Sequence, residues 1–135
     1  MKTRNFLLIA VSIWLAQNSV AARAGAPIDP CDGADTQLAL NACWSSRASE
    51  ADKIVNHLLT QVRRAARGPI RSDLQIRLDK AQAEWIRYRH LHCDLVTIPL
   101  EGASSAGMAH SICFYRAARQ RAAALSDVLA DWSPR

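Results

Sequence analysis

Apolar residues recur at helical spacing in three long stretches of the chain. In the most strongly patterned one, Leu74, Leu78, Ala81, Trp85 and Tyr88 follow alternating steps of four and three. That spacing places them on one face of an α-helix. Asp79, Lys80, Gln82, Glu84, Arg87 and Arg89 fall mostly off that face. The pattern predicts a helix from about Ser72, where Ser72 and Gln75 match a capping box, to about Cys93. Leu78, Trp85 and Tyr88 are then expected core residues, with the Tyr88 hydroxyl finding a partner at the edge. A sugar platform built on Trp85 and Tyr88 would require both to be exposed.

The second stretch predicts a helix from about Ser45 to Arg67. Its stripe is Ala51, Val55, Leu58, Val62 and Ala65, widened by Ile54 and Leu59. Gly68-Pro69 stops it, because proline cannot continue the hydrogen-bond ladder and disfavours helix in the residue before it. A short helix over Gln37–Cys43 precedes it, with Asp35 or Thr36 as its cap. The third stretch runs from about Met108 to Ala130, with Ile112, Tyr115, Ala118, Ala122, Leu125, Leu129 and Trp132 as its stripe. Pro99, Gly102, Ser104, Ser105 and Gly107 make Asp94–Gly107 a loop. No segment alternates long enough to argue a strand. The expected fold is all-α: a small antiparallel bundle of three main helices plus the short N-terminal helix.

The N-terminus adds a compartment. Lys2 and Arg4 precede an apolar run from Phe6 to Leu15, and small residues follow at Ala21, Ala22, Ala24 and Ala26. This is the pattern of a secretory signal peptide, expected over residues 1–26, with a single domain over 27–135. The run is too short for a membrane span, which needs about 20 apolar residues, so the mature form is expected to be periplasmic or secreted. The chain has 17 basic and 12 acidic residues, and losing Lys2, Arg4 and Arg23 leaves 14 against 12, or +2. The basicity of the full chain therefore gives no argument for nucleic-acid binding.

Cys31, Cys43, Cys93 and Cys113 all remain in the exported domain. An even number in that setting implies two disulfides. In an antiparallel bundle the start of the second helix, the end of the third and the start of the fourth share one pole, and Cys31 can reach it. Every pairing is thus sterically open. Cys31–Cys43 with Cys93–Cys113 is favoured because it closes the shortest loops, and its second bridge would staple Asp94–Gly107 at the base.

No catalytic arrangement stands out, and the chain is expected not to be an enzyme. His90 and His92 point about 200° apart on a helix, so they cannot face one ion. Oxidised cysteines are not ligands, and no metal or cofactor is expected. Arg63, Arg64, Arg67, Arg71 and Arg77 gather near the joint opposite the cysteine pole, and Arg116, Arg119 and Arg121 lie on the last helix. They offer binding to an anionic envelope component, or a solvated face that complements helix C-termini.

Several motifs resemble a known family. Cys31, Thr36-Gln37, Asn41, Cys43, Asp52 and Asn56 are similar to its N-terminal half. Ala81-Gln82-Ala83-Glu84-Trp85-Ile86-Arg87-Tyr88-Arg89 with Cys93 resembles its central signature, and Gly102-Ala103-Ser104, Cys113, Arg121 and Leu125 resemble its C-terminal part. This is the LprI-like family of lysozyme inhibitors, small secreted helical domains. The chain departs from it at Val55 and Leu59, at Ala117-Ala118, and at Ala103, where the family favours glycine. A residue needing positive φ at Ala103 would be strained. The resemblance implies lysozyme, or another envelope protein, as partner. The loop carrying Glu101, Gly102, Ser104 and Ser105 is the candidate that enters the sugar cleft. Many lysozymes are strongly cationic, so a domain near +2 gains no long-range steering and must rely on local contacts.

Overall fold

The computed structural model describes residues 29–66 and 71–132. The expected export segment over 1–26 and the Gly68-Pro69 stop lie outside them. Three long helices make up the fold: α1 (Gln37–Ala65), α2 (Arg71–Thr97) and α3 (Ala106–Trp132), with a short 3-10 turn at Ile98–Leu100. The fold is all-α, as the periodicity predicts.

The expected separate helix over Gln37–Cys43 is instead the opening of α1, which runs unbroken through Cys43-Trp44-Ser45. No glycine or proline interrupts that stretch, and buried Trp44 carries the inner face across it. Thr36 is the N-cap: its hydroxyl oxygen accepts from the Ala39 backbone N–H at 3.1 Å. This satisfies one of the donors left open at a helix start. At the other end, Arg63 and Arg64 sit in the last turn, where they complement the helix dipole.

Cross-contacts set the directions. Gln37 reaches Met108 and Trp44 meets Tyr115, so α1 and α3 run parallel. Arg63 pairs with Asp79, Gln82 bonds Arg121, and Cys93 is bridged to Cys113, so α2 runs against both. Successive helices are thus antiparallel. The closest packing lies between α1 and α3, and α2 rests mainly on α3. The cause is side-chain size. Ala51, Val55, Leu59 and Val62 of α1 meet Ala118 and Leu125 of α3, with Leu58, Tyr115, Ala122, Val128 and Leu129 alongside. Small residues at Ala51, Ala118 and Ala122 let the two backbones approach. Each fully buried valine or leucine adds about 1.5–3 kcal/mol.

The inner face of α2 is not the stripe that the apolar spacing picks out. Leu78 and Trp85 pack against the core, but Ala81 is exposed and Tyr88 is 60% exposed. The row that turns inward is Leu74, Leu78, Gln82, Trp85, Arg89 and Cys93. It shares Leu78 and Trp85 with the expected stripe and puts Gln82 and Arg89 where Ala81 and Tyr88 were expected. Tyr88 is therefore not a core residue. Arg89, read as a surface cation, is 7% exposed. On the other helices Ile54 is exposed, and the α1 face centres on Val55, Leu59 and Val62.

Both favoured disulfides are present. Cys31–Cys43 spans 6.0 Å between Cα atoms and Cys93–Cys113 spans 5.6 Å. They lie at one pole, with the N-terminal turn, the end of α2 and the start of α3.

Candidate functional site

The connection between α2 and α3 is shorter than the spacing of breakers predicts. Helix α2 continues past Cys93 to Thr97, because Asp94-Leu95-Val96 holds no breaker. The Thr97 hydroxyl donates back to the carbonyls of Cys93 and Asp94 at 3.1 and 3.0 Å. Pro99 then ends the helix by disfavouring the helical conformation at Ile98, and the chain tightens into the 3-10 turn. The loop proper is Ile98 to Ser105.

Its shape is held from three sides. Backbone bonds Glu101 N–H to Ile98, Ala103 N–H to Leu100 and Ala106 N–H to Ala103 fold it as consecutive turns of 3.2, 2.9 and 3.1 Å. Gly102 sits at φ +81°, a left-handed conformation that glycine adopts without steric cost. No non-glycine residue among those described has positive φ, so Ala103 takes a backbone conformation without left-handed strain. The Cys93–Cys113 bridge clamps the base. From the side, the Asn41 amide donates to the Ser104 carbonyl at 3.3 Å, while the Gln37 amide donates to the Asn41 side-chain oxygen at 2.9 Å.

Glu101, Gly102 and Ser104 are exposed, and Ser105 is half-buried. The hydroxyls of Ser104 and Ser105 have no partner among the described residues. All four expected binding residues lie in the loop between the 3-10 turn and α3, beside the disulfide pole. Asn41 was the missing support. Its only signal in the sequence is its place among the residues that carry the family resemblance.

Below the pole, the polar residues of α2 tie the helices together. The Arg89 guanidinium pairs with Asp52 of α1 and lies 4.5 Å from the ring centres of both Trp85 and Phe114. Its Nε has no hydrogen-bond partner. Arg121 of α3 donates from Nε to Gln82 at 3.1 Å and stands 5.8 Å from the Trp85 ring. Burial lowers the Arg121 pKa below its ordinary value by desolvating the charge. Trp85 is thus a packing platform for two arginines. At the pole, His110 stands 3.3 Å from Asp94 and stacks on Phe114, whose edge meets His90. These histidines form an aromatic cluster, and no group of three or more possible metal ligands occurs among the described residues.

The arginines opposite the pole are partly neutralised. Arg63 pairs with Asp79 at 2.5 Å and Arg77 with Asp73 at 2.8 Å. Arg67 lies outside the described residues. No helix among the described residues is long and apolar enough to cross a membrane.

A family model described as "Lysozyme inhibitor LprI" matches residues 29–125, from the N-terminal turn to the last buried leucine of α3. No curated protein and no solved structure matches the chain.

Proposed function

The chain belongs to the LprI lysozyme inhibitor family, and on that premise we propose that it is an exported protein that blocks a lysozyme by inserting the loop Ile98–Ser105 into the sugar cleft. The single observation that carries this reading is the clamped loop. It is closed by the Cys93–Cys113 bridge, turned at Gly102 and propped by Asn41. A loop already held in one shape loses less entropy on docking. The disulfides fit an oxidising compartment outside the cytoplasm.

Such an inhibitor needs no chemistry of its own. A lysozyme cleaves with a pair of carboxyl groups flanking the glycosidic bond. The hydroxyls of Ser104 and Ser105 offer hydrogen bonds to those groups. Gly102 lets the tip enter without a side chain. Glu101 would be repelled by the same carboxylates, which orients it toward basic groups on the cleft rim.

The test is a peptidoglycan turnover assay with the oxidised protein at micromolar concentration. Slowed turnover is expected, and a Ser104→Asp/Ser105→Asp double variant should lose the effect while keeping its thermal stability. No slowing at high molar excess removes the reading. Binding to anionic vesicles that survives physiological salt would instead favour an envelope-component binder without inhibitory activity.

A further inference from the structure

Between α2 and α3, on a side that no residue of α1 lines, lies a groove of about 430 Å³. That volume falls within the roughly 300–1,000 Å³ of small-molecule sites. One wall is a row on α2: Trp85, Tyr88, His92 and Val96. The other is a row on α3 that runs from Ala109 through Ile112 and Arg116 to Gln120. The antiparallel pairing set by Cys93–Cys113 and Gln82–Arg121 fixes the order along it. Val96, Ala109 and Ile112 lie at the disulfide end. Tyr88 faces Arg116 further along, and Trp85 and Gln120 close the far end. At 1.5 Å per residue the α3 wall is about 16 Å long.

The groove is electrostatically one-sided. No acidic residue lines it, and Arg116 is exposed and makes no ion pair with any described residue. The other two arginines nearby, Arg89 and Arg121, are committed to Asp52 and Gln82. The Tyr88 and His92 rings are stacked at 5.4 Å, with an interplanar angle of 12°, and give the α2 wall a flat aromatic panel. Val96, Ala109, Ile112 and Cys113 make the disulfide end mainly apolar, with the His92 ring beside them, and Arg116 and Gln120 lie in the other half.

We propose that this groove binds a single-chain amphiphilic carboxylate, its apolar chain along Val96, Ile112 and the Tyr88–His92 panel and its carboxylate on Arg116. A guanidinium fork matches a carboxylate in bidentate geometry, while apolar walls without acid suit a chain that brings one negative charge. A bare sugar ring fits worse, because the apolar end offers few donors or acceptors to its hydroxyls. The site is separate from the loop and does not rest on the inhibitory reading.

The experiment titrates the oxidised protein with dodecanoate below its micelle-forming concentration, followed by calorimetry and by amide NMR shifts. Dodecyltrimethylammonium and acetate serve as parallel probes. Saturable one-to-one binding of dodecanoate is expected, with shifts confined to residues 85–96 and 109–120. Acetate should not bind, and the cationic amphiphile should bind at least about tenfold more weakly. Arg116→Glu should weaken dodecanoate by about tenfold or more, as loss of a charge-assisted contact implies, and Arg116→Lys should recover part of it. Arg116 is exposed, so these variants keep the fold. Non-saturable uptake, equal binding of the cationic amphiphile, shifts elsewhere, or an unchanged Arg116→Glu variant would each overturn the proposal.

Discussion

Along the α1–α3 seam, the side chains withdrawn from solvent are Ala51, Val55, Leu59, Val62, Ala118 and Leu125, all apolar. Helix α2 turns inward a row in which Leu78 and Trp85 alternate with Gln82 and Arg89. The first interface is close because its residues are small. The second is held off by long side chains, and its polar groups take specific partners, Asp52 for Arg89 and Arg121 for Gln82, with the Arg89 Nε left without one. The seam therefore supplies burial, which is non-directional. The α2 interface supplies register, because an ion pair and an amide contact hold only when the helices stand at one height. The disulfide adds a third constraint at the α2–α3 end.

The seam should be the more sensitive half. Leu125 is 2% exposed, and Leu125→Ala is expected to cost about 3–4 kcal/mol by cavity formation. Chemical denaturation of the oxidised protein measures it. A cost under 1 kcal/mol would mean that the seam collapses to fill the hole and that burial there is not what holds the fold. Replacing Cys93 and Cys113 together by alanine should cost slightly less, about 3 kcal/mol, mainly by freeing the unfolded chain. The same variant tests the loop, since slower peptidoglycan turnover should be lost at temperatures where the helices remain folded by circular dichroism.

The α2 interface should respond in a different way. Asp52→Ala leaves a buried guanidinium without its counter-ion and is expected to cost about 2 kcal/mol. The double change Asp52→Leu/Arg89→Met removes both charges and should lie within about 1 kcal/mol of the parent. If the double variant is instead the worse of the two, the ion pair contributes net stability, and the contrast between the interfaces narrows.

How far the fold could be read in advance follows the same division. The seam was legible: Val55, Val62, Ala118 and Leu125 sit on the stripes that helical spacing predicts, and of the three open cysteine pairings the one that loop length favours is present. The inner row of α2 was not, because apolarity points to Ala81 and Tyr88 and away from Gln82 and Arg89. A helix rotates by about 100° per residue, so choosing the apolar neighbour turns the expected face by one position. The family resemblance does not mark the true row either, since its central signature runs unbroken from Ala81 to Arg89 and takes in exposed and buried positions alike. Asp52, Gln82, Arg89 and Arg121 are among the residues that carry it, and each bonds across helices. The loop's position was legible from its breakers. Its Asn41 support was not, because that contact joins residues more than sixty apart in the chain, and breaker spacing makes its span too long because it counts the breaker-free Asp94-Leu95-Val96 with the loop.

The smallest effect separates the two faces of α2 most directly. Tyr88 is 60% exposed, and among the described residues its ring stacks on His92 of its own helix. Tyr88→Ala is therefore expected to change stability by no more than about 0.5 kcal/mol, as for surface positions without a special role. The expectation from apolar spacing alone is several times larger, because a core aromatic leaves a cavity costing about 3–5 kcal/mol. Thermal denaturation of this variant beside Trp85→Ala distinguishes them, since Trp85 packs on the core and carries two guanidiniums. A near-silent Tyr88→Ala with a costly Trp85→Ala places the inward row on Trp85 and Arg89. Equal costs would rotate α2 by one residue and return Tyr88 to the interior. The groove would then lose its aromatic panel, and the burial of Arg89 would lack a cause.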